Sequence, residues 1–332
     1  MTDLELEPLL SPLAADAPCG ADLEYDPAFL ALQEAGARKP EQQYGDTVIP
    51  AQEPDWAAVK DQALQLSART RDLRLAVWLV RSGARVSGLS GAVRGLQLVQ
   101  ALVERHWDHL HPQLDAGDNN DPTARVNALL PLLHPGAGLA DLRAASLTGR
   151  RGALTVRDIE LSVGHADVMA GEAVPAEEAV VSGVAAAIAE SPELAALMQA
   201  GLAAVNGLAD SLDKRLAATQ GLDFAPLRKL MHCVAEAGRR ATGAGTPAGQ
   251  ESAGAAPGAA AVAVGAIATR DDAIRALEHA CEWIERNEPS NPAPLLIRRS
   301  QRLMTKNFID IVRDLIPDGL DQVEKLAGTH QP

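Results

Sequence analysis

The sequence predicts an all-α protein. Three observations carry this expectation. Alanine and leucine dominate, while aromatic residues make up only 3% of the 332 residues; alanine and leucine favour helices, whereas strands draw on aromatic and β-branched residues. Apolar residues recur at helical rather than alternating spacing. Finally, residues 241–268 contain 20 Ala, Gly or Pro among 28 and a single charge, Glu251. Such a stretch cannot bury a core and reads as a flexible linker between helical parts. The expected organisation is a multi-helical N-terminal bundle over 1–165, a helical middle segment over 172–240, the linker over 241–268, and a small helical module over 269–328.

Residues 1–50 are rich in Pro and Gly and read as largely irregular. A short helix is expected from Asp26-Pro27, with Phe29, Leu30 and Leu32 as its apolar positions. Trp56, Val59, Ala63 and Leu66 mark the next helix. A second starts near Asp72, turns Leu75, Trp78 and Leu79 inward, and ends near Gly83. A third runs from about Leu89 to Leu110 with Leu96, Val99, Val103 and Trp107. Short connections make these antiparallel neighbours. Another helix begins at Asp121-Pro122, with Pro122 suited to a first helical position, and ends by Pro135-Gly136. The stretch "LRAASLTGRRGALTVRDIELSVG" is the least helical, with an extended segment expected near Leu154–Val156.

Residues 175–240 return to helical periodicity in two or three helices. Leu227, Met231 and Val234 form the inner face of the last. Beyond the linker, Thr269 with Asp272 approximates a capping box. Ile274, Leu277, Cys281 and Ile284 then make an apolar stripe, and the prolines at 289, 292 and 294 break the chain before a basic helix. A last helix places Phe308, Ile311, Val312 and Leu315 on one face. A module of about 60 residues is small for an independent core, and self-association is a common remedy.

The basic helix stands out because the chain carries a formal net charge of −14. "PAPLLIRRSQRLMTKNF" holds Arg298, Arg299, Arg302 and Lys306 and no acid. On a helical wheel these four fall within an arc of roughly 100°, with Leu296, Ile297, Leu303 and Met304 opposite; Leu295 does not fit the pattern. Acids of the same module, such as Glu285, Asp310 or Asp314, would neutralise the stripe internally. Acids of a neighbouring subunit or protein partner would make it an interaction site, which suits the bidentate geometry of arginine. Nucleic acid ranks third, because four cations in an acidic chain leave a weak electrostatic footprint.

Catalytic and ligand motifs are weak throughout. No phosphate loop and no His-Glu-x-x-His helix occurs. "SGLSGA" around Ser90 departs from a nucleophile elbow and reads as a helix start. His106, His109 and His111 lie near Asp108, Asp115, Asp118 and Asp121. A metal site is the sharp reading of this cluster; the favoured reading is a helix end followed by turn chemistry. Asp22, Glu24 and Asp26 read as a solvated face, and Trp56, Trp78 and Trp107 as core anchors. Cys19, Cys233 and Cys281 give no disulfide or zinc spacing. The acidic start lacks signal-peptide character, and no run reaches the length of a membrane span. A soluble cytoplasmic protein with no cofactor and no metal is expected.

Several longer phrases together resemble a known family. "DAPCGADLEYDPAFLALQEA", "KPEQQYGDTVIPAQEPDW", "ARTRDLRLAVWLVR", "HWDHLHPQLDAGDNNDPTARVNAL" and "SLTGRRGALTVRDIELSVG" resemble the ImpA N-terminal domain of TssA proteins of the bacterial type VI secretion system. The segment from Trp283 to Val323 resembles the end of the short TssA branch. The resemblance implies a non-enzymatic assembly component that forms a ring-like oligomer through its C-terminal module. It implies contact with baseplate, sheath and inner-tube proteins, and with the membrane complex as a further candidate, and a part in starting or guiding tail polymerisation. It places the protein in the cytoplasm, associated with the apparatus at the inner membrane, without membrane insertion and without nucleic acid. The alternative is a helical adaptor or chaperone unrelated to secretion. No catalytic residue carries over from the family. Arg298, Arg299, Arg302 and Lys306 are the candidate protein-interaction residues.

Overall fold

A computed structural model describes residues 4–39, 41–44, 47–150, 152–169, 171–216, 221–243 and 292–304, with 274, 277–278, 281 and 285–286. The chain divides into two compact units, Met1–Gly249 and Gln250–Pro332. Among the described residues the fold is all-α apart from one short ribbon.

The first unit is built around an antiparallel pair, α4 (Leu73–Ser87) and α5 (Leu89–His106). Their sequences allow a close approach. A Cβ on Gly83 would lie 2.7 Å from the Gly91 carbonyl oxygen, and one on Gly91 would lie 2.4 Å from that of Gly83. α3 (Trp56–Ser67) packs on α4. α10 (Glu193–Asp213) packs on the other flank of α5, and α11 (Ala225–Ala241) packs on α10. The middle helices therefore join the same hydrophobic core as the N-terminal ones; Leu96, Val99, Val205, Leu227, Met231 and Val234 belong to one buried cluster. The expected division between 1–165 and 172–240 falls inside this unit.

Smaller elements complete it. α1 (Glu7–Leu10) and α2 (Pro27–Ala35) belong to the N-terminal segment. α6 (Thr123–Leu133), α7 (Gly138–Arg143), α8 (Val156–Ser162) and α9 (Glu177–Glu190) follow the central pair. Side chains set several starts: Asp26, Asp55 and Asp72 accept from backbone N–H groups at the beginnings of α2, α3 and α4. Thr155 and Asp158 form a reciprocal capping box at α8, satisfying donors that have no partner within the helix. In the second unit, α12 (Ala293–Met304) carries the basic stretch. Ile274, Leu277, Cys281 and Glu285 are also helical.

Several local expectations change. β1 (Gln42–Tyr44) and β2 (Thr47–Ile49) form an antiparallel ribbon in a region read as irregular, with Gln43 opposite Val48. Leu30, expected as an apolar position of α2, is 50% exposed, because the core-facing side of the helix carries Phe29, Leu32 and Ala35. The extended segment expected near Leu154–Val156 is short: Thr155 is extended and makes one isolated antiparallel bridge to Ser146, and Val156 opens α8. α5 ends at His106 rather than near Leu110. The expected Thr269–Asp272 cap and the helix after Asn307 lie outside the described residues.

Candidate interaction surfaces

The basic helix α12 is turned differently from the expected wheel. Leu295 and Leu296 are 73% and 67% exposed. Pro294 and Gln301 are buried instead. Gln301 takes an inner position because its Nε2 donates to the Ile274 carbonyl at 3.0 Å and to Glu278 Oε2 at 3.2 Å. A buried amide with its donors satisfied is tolerated where an unpaired one is not. Cys281 Sγ lies 3.9 Å from the Pro294 carbonyl oxygen, closing the same contact.

Arg298 is matched by acids of its own chain. Its guanidinium lies 3.1 Å from Glu285 and 3.7 Å from Glu278, and Glu285, then Glu278, shift its pKa further upward. Of the acids named from sequence, Glu285 is thus a partner of Arg298. Arg299 is exposed and has a partner of its own. The Arg302 side chain and Lys306 lie outside the described residues. The surface around Arg298 and Arg299 nevertheless presents two exposed leucines beside cations.

In the first unit, conspicuous polar residues are engaged in structural roles. His106 Nε2 contacts the Leu10 carbonyl at 2.7 Å, and His111 Nε2 contacts that of Gly20 at 3.1 Å. His109 is exposed. The two buried histidines thus hold the N-terminal segment at separate points instead of converging. Arg71 reinforces this segment by donating to the Pro8 and Ser11 carbonyls. Among the described residues no group of three or more His, Cys, Asp or Glu side chains is placed to hold a metal ion.

Asp22 and Glu24, read as a solvated face, join Asp72 around Arg74 at 3.2, 3.1 and 2.7 Å. Asp26 pairs with Arg69 and caps α2; the Arg69 contact, then the backbone N–H of Ala28, holds its carboxyl below the usual range.

The three tryptophans are core anchors of an unexpected kind, because arginines stack on each. The Arg81 guanidinium lies 4.6 Å from the Trp78 ring centre and 5.4 Å from that of Trp56. Arg81 also donates from Nε to Asp141 at 2.8 Å. Asp141 is fully buried and gathers Arg38 and Arg85 as well, at 3.4 and 4.0 Å. Burial outweighs the three arginines and pushes the Asp141 carboxyl above its ordinary pKa. Arg125 stacks on Trp107 at 4.5 Å and donates to the carbonyls of Trp107, Leu110 and Pro112; desolvation lowers its pKa to about 10. The i, i+3 pair Trp78–Arg81 was a visible signal for one stack. The approach of Arg125 to Trp107 across 18 residues had no local signal.

One thiol meets a histidine: Cys233 Sγ lies 2.9 Å from His165 Nδ1. Burial, then the charge of Glu160, raises the Cys233 pKa, which opposes the thiolate a nucleophile needs. The pair joins α11 to the segment after α8. Among the described residues, no single helix is long and apolar enough to cross a membrane.

The first unit is thus a helical bundle whose N-terminal segment is pinned by buried arginine and histidine contacts. Residues 10–134 match the family "ImpA, N-terminal, type VI secretion system". The chain is also 36% identical, over 349 aligned positions, to the type VI secretion system component TssA1 of Pseudomonas aeruginosa, with 98% of each chain covered. It belongs to the TssA family of type VI secretion system components. Among solved structures it is similar to the N-terminal domain, including the conserved ImpA_N region, of the TssA component from Burkholderia cenocepacia. That similarity has 28% identity and a TM-score of 0.53, covering 74% of this chain and 96% of that one.

Proposed function

We propose that this chain is a non-enzymatic assembly component. It forms a ring-like oligomer through its C-terminal unit, contacts baseplate and tail proteins, and helps start or guide polymerisation of the tail tube and sheath. The observation that carries this reading is the near full-length match to TssA1, which extends through the C-terminal unit. The exposed Leu295 and Leu296 beside Arg298 and Arg299 support placing self-association there: exposed apolar residues on a small unit favour burial against another chain. The work of the protein is done in the cytoplasm, at the base of the apparatus.

The test has two parts. Light scattering of the purified chain should give one discrete mass, a multiple of the monomer's. Arg298→Glu combined with Arg302→Glu should reduce that mass while leaving the helical circular-dichroism signal nearly unchanged. A strain lacking the chain should fail to export the inner-tube protein, and the wild-type copy should restore export. A monomeric wild-type chain together with normal export in the deletion strain would refute the proposal.

A further inference from the structure

The first unit contains a cleft of about 590 Å³ between the α4–α5 turn, the loop after α7 and the beginning of α10. It unites two phrases distant in sequence, "SGLSGAVRG" from Ser87 and "SLTG" from Ser146. The Leu89 N–H donates to the Ser146 carbonyl at 2.8 Å. Gly88 and Gly149 have φ of +69° and +71°. A Cβ on Gly88 would lie 2.2 Å from the Ser146 oxygen, and one on Gly149 would lie 3.2 Å from the Ser87 oxygen. Side chains at either position would push these walls apart.

The chemistry inside is unusual for this protein. Among the described residues of 4–243, Arg94 is the arginine that makes no hydrogen bond or ion pair, although its Nε is buried. Thr148 Oγ1, on the facing wall, is also buried without a hydrogen-bond partner. Glu193, which is exposed, also lines the cleft. Val86, Leu197 and Ala200, each partly exposed, supply an apolar lining, while Leu147 and Leu194 are buried in the core. Two unsatisfied donors beside aliphatic walls are complementary to a carboxylate carried next to aliphatic side chains.

We infer that this cleft binds an acidic–aliphatic segment of a protein partner, with the partner's carboxylate on Arg94 and Thr148 and its aliphatic side chains on Val86, Leu197 and Ala200. This rests on the assembly reading, which supplies protein partners; charge complementarity with Arg94 selects the occupant.

The probe is N-acetyl-Leu-Glu-Leu-amide, titrated into the full chain by calorimetry. Binding is expected, and it should weaken tenfold or more for the Leu-Gln-Leu analogue and for Arg94→Gln. Thr148→Val should weaken it about threefold, a fraction of the effect of a charged contact. Arg94→Gln should keep the thermal midpoint of the wild type, since Arg94 makes no intramolecular polar contact. The inference is overturned if no binding occurs at about 10 mM peptide, beyond the millimolar range where a few contacts become measurable. It is also overturned if Arg94→Gln binds as well as wild type, or if inorganic phosphate displaces the peptide completely, since the cleft then takes free oxyanions. Oligomer mass and inner-tube export measured on the same variant separate the two ideas. Wild-type mass and export with no peptide binding end this inference and leave the assembly reading standing.

Discussion

Replacing Asp141 by alanine removes the acceptor around which Arg38, Arg81 and Arg85 are arranged. Asp141 is fully buried and Arg81 is 7% exposed. Without the carboxylate, the Arg81 guanidinium stays between Trp56 and Trp78 and keeps its stacking but loses its hydrogen bond to Asp141, at 2.8 Å. Breaking a buried pair by removing one partner costs about 3–5 kcal/mol, because the remaining charge is left uncompensated. For a unit of this size each kcal/mol shifts the thermal midpoint by about 2–4 °C, so Asp141→Ala should lower it by about 6–20 °C. The assay is thermal unfolding followed by circular dichroism at neutral pH. Asp141→Ala combined with Arg81→Met should recover much of the loss, since the uncompensated charge then disappears. A control, Arg69→Ala, removes a more exposed pair and should shift the midpoint far less, because exposed ion pairs contribute little. If Asp141→Ala shifts the midpoint no more than Arg69→Ala, the reasoning from buried charge is wrong.

Further outcomes follow from the same contacts. Gly88→Ala should destabilise by more than the roughly 1–2 kcal/mol of a left-handed residue, because the new methyl meets the Ser146 oxygen at 2.2 Å; Gly152→Ala, with φ of +78° and open space, should cost only that strain in the same urea titration. Arg125→Lys should be strongly destabilising in thermal melts, since one ammonium cannot reach the three carbonyls and stack on Trp107 as the planar fork does. Glu172 has its pKa lowered to about 2, mainly by Arg157, from an ordinary 4.5. A lowered folded pKa gives stabilisation that is complete above about pH 4.5 and fades as pH falls toward 2. Hydrogen-exchange protection factors near Asp167–Glu172 should therefore fall over that window, and Glu172→Gln should remove this pH dependence.

The helices were legible because their information is local. Leu227, Met231 and Val234 recur at helical spacing, and all three are fully buried in α11. Asp26 precedes Pro27 and caps the helix that begins there. The β-ribbon was missed because each strand has three residues, too few for an alternation to register; the Gly-Asp pair between Tyr44 and Thr47 was its available signal. The family resemblance was legible because long phrases matched in order.

What only the tertiary structure decided is which polar groups meet. Composition marked α12 as basic and amphipathic, but the wheel could not know that the Ile274 carbonyl and Glu278 would satisfy Gln301, so that a glutamine turned inward and Leu296 turned out. The histidines of one short stretch looked like a cluster, yet their ring nitrogens answer carbonyls 96 and 91 residues away. Arg94 and Thr148 drew no notice in sequence, because nothing local distinguishes an arginine with an acid partner from one without. Periodicity fixes a helix through neighbours three and four residues apart. The partner of a charge is fixed by packing of the whole unit, where burial makes each unsatisfied group costly.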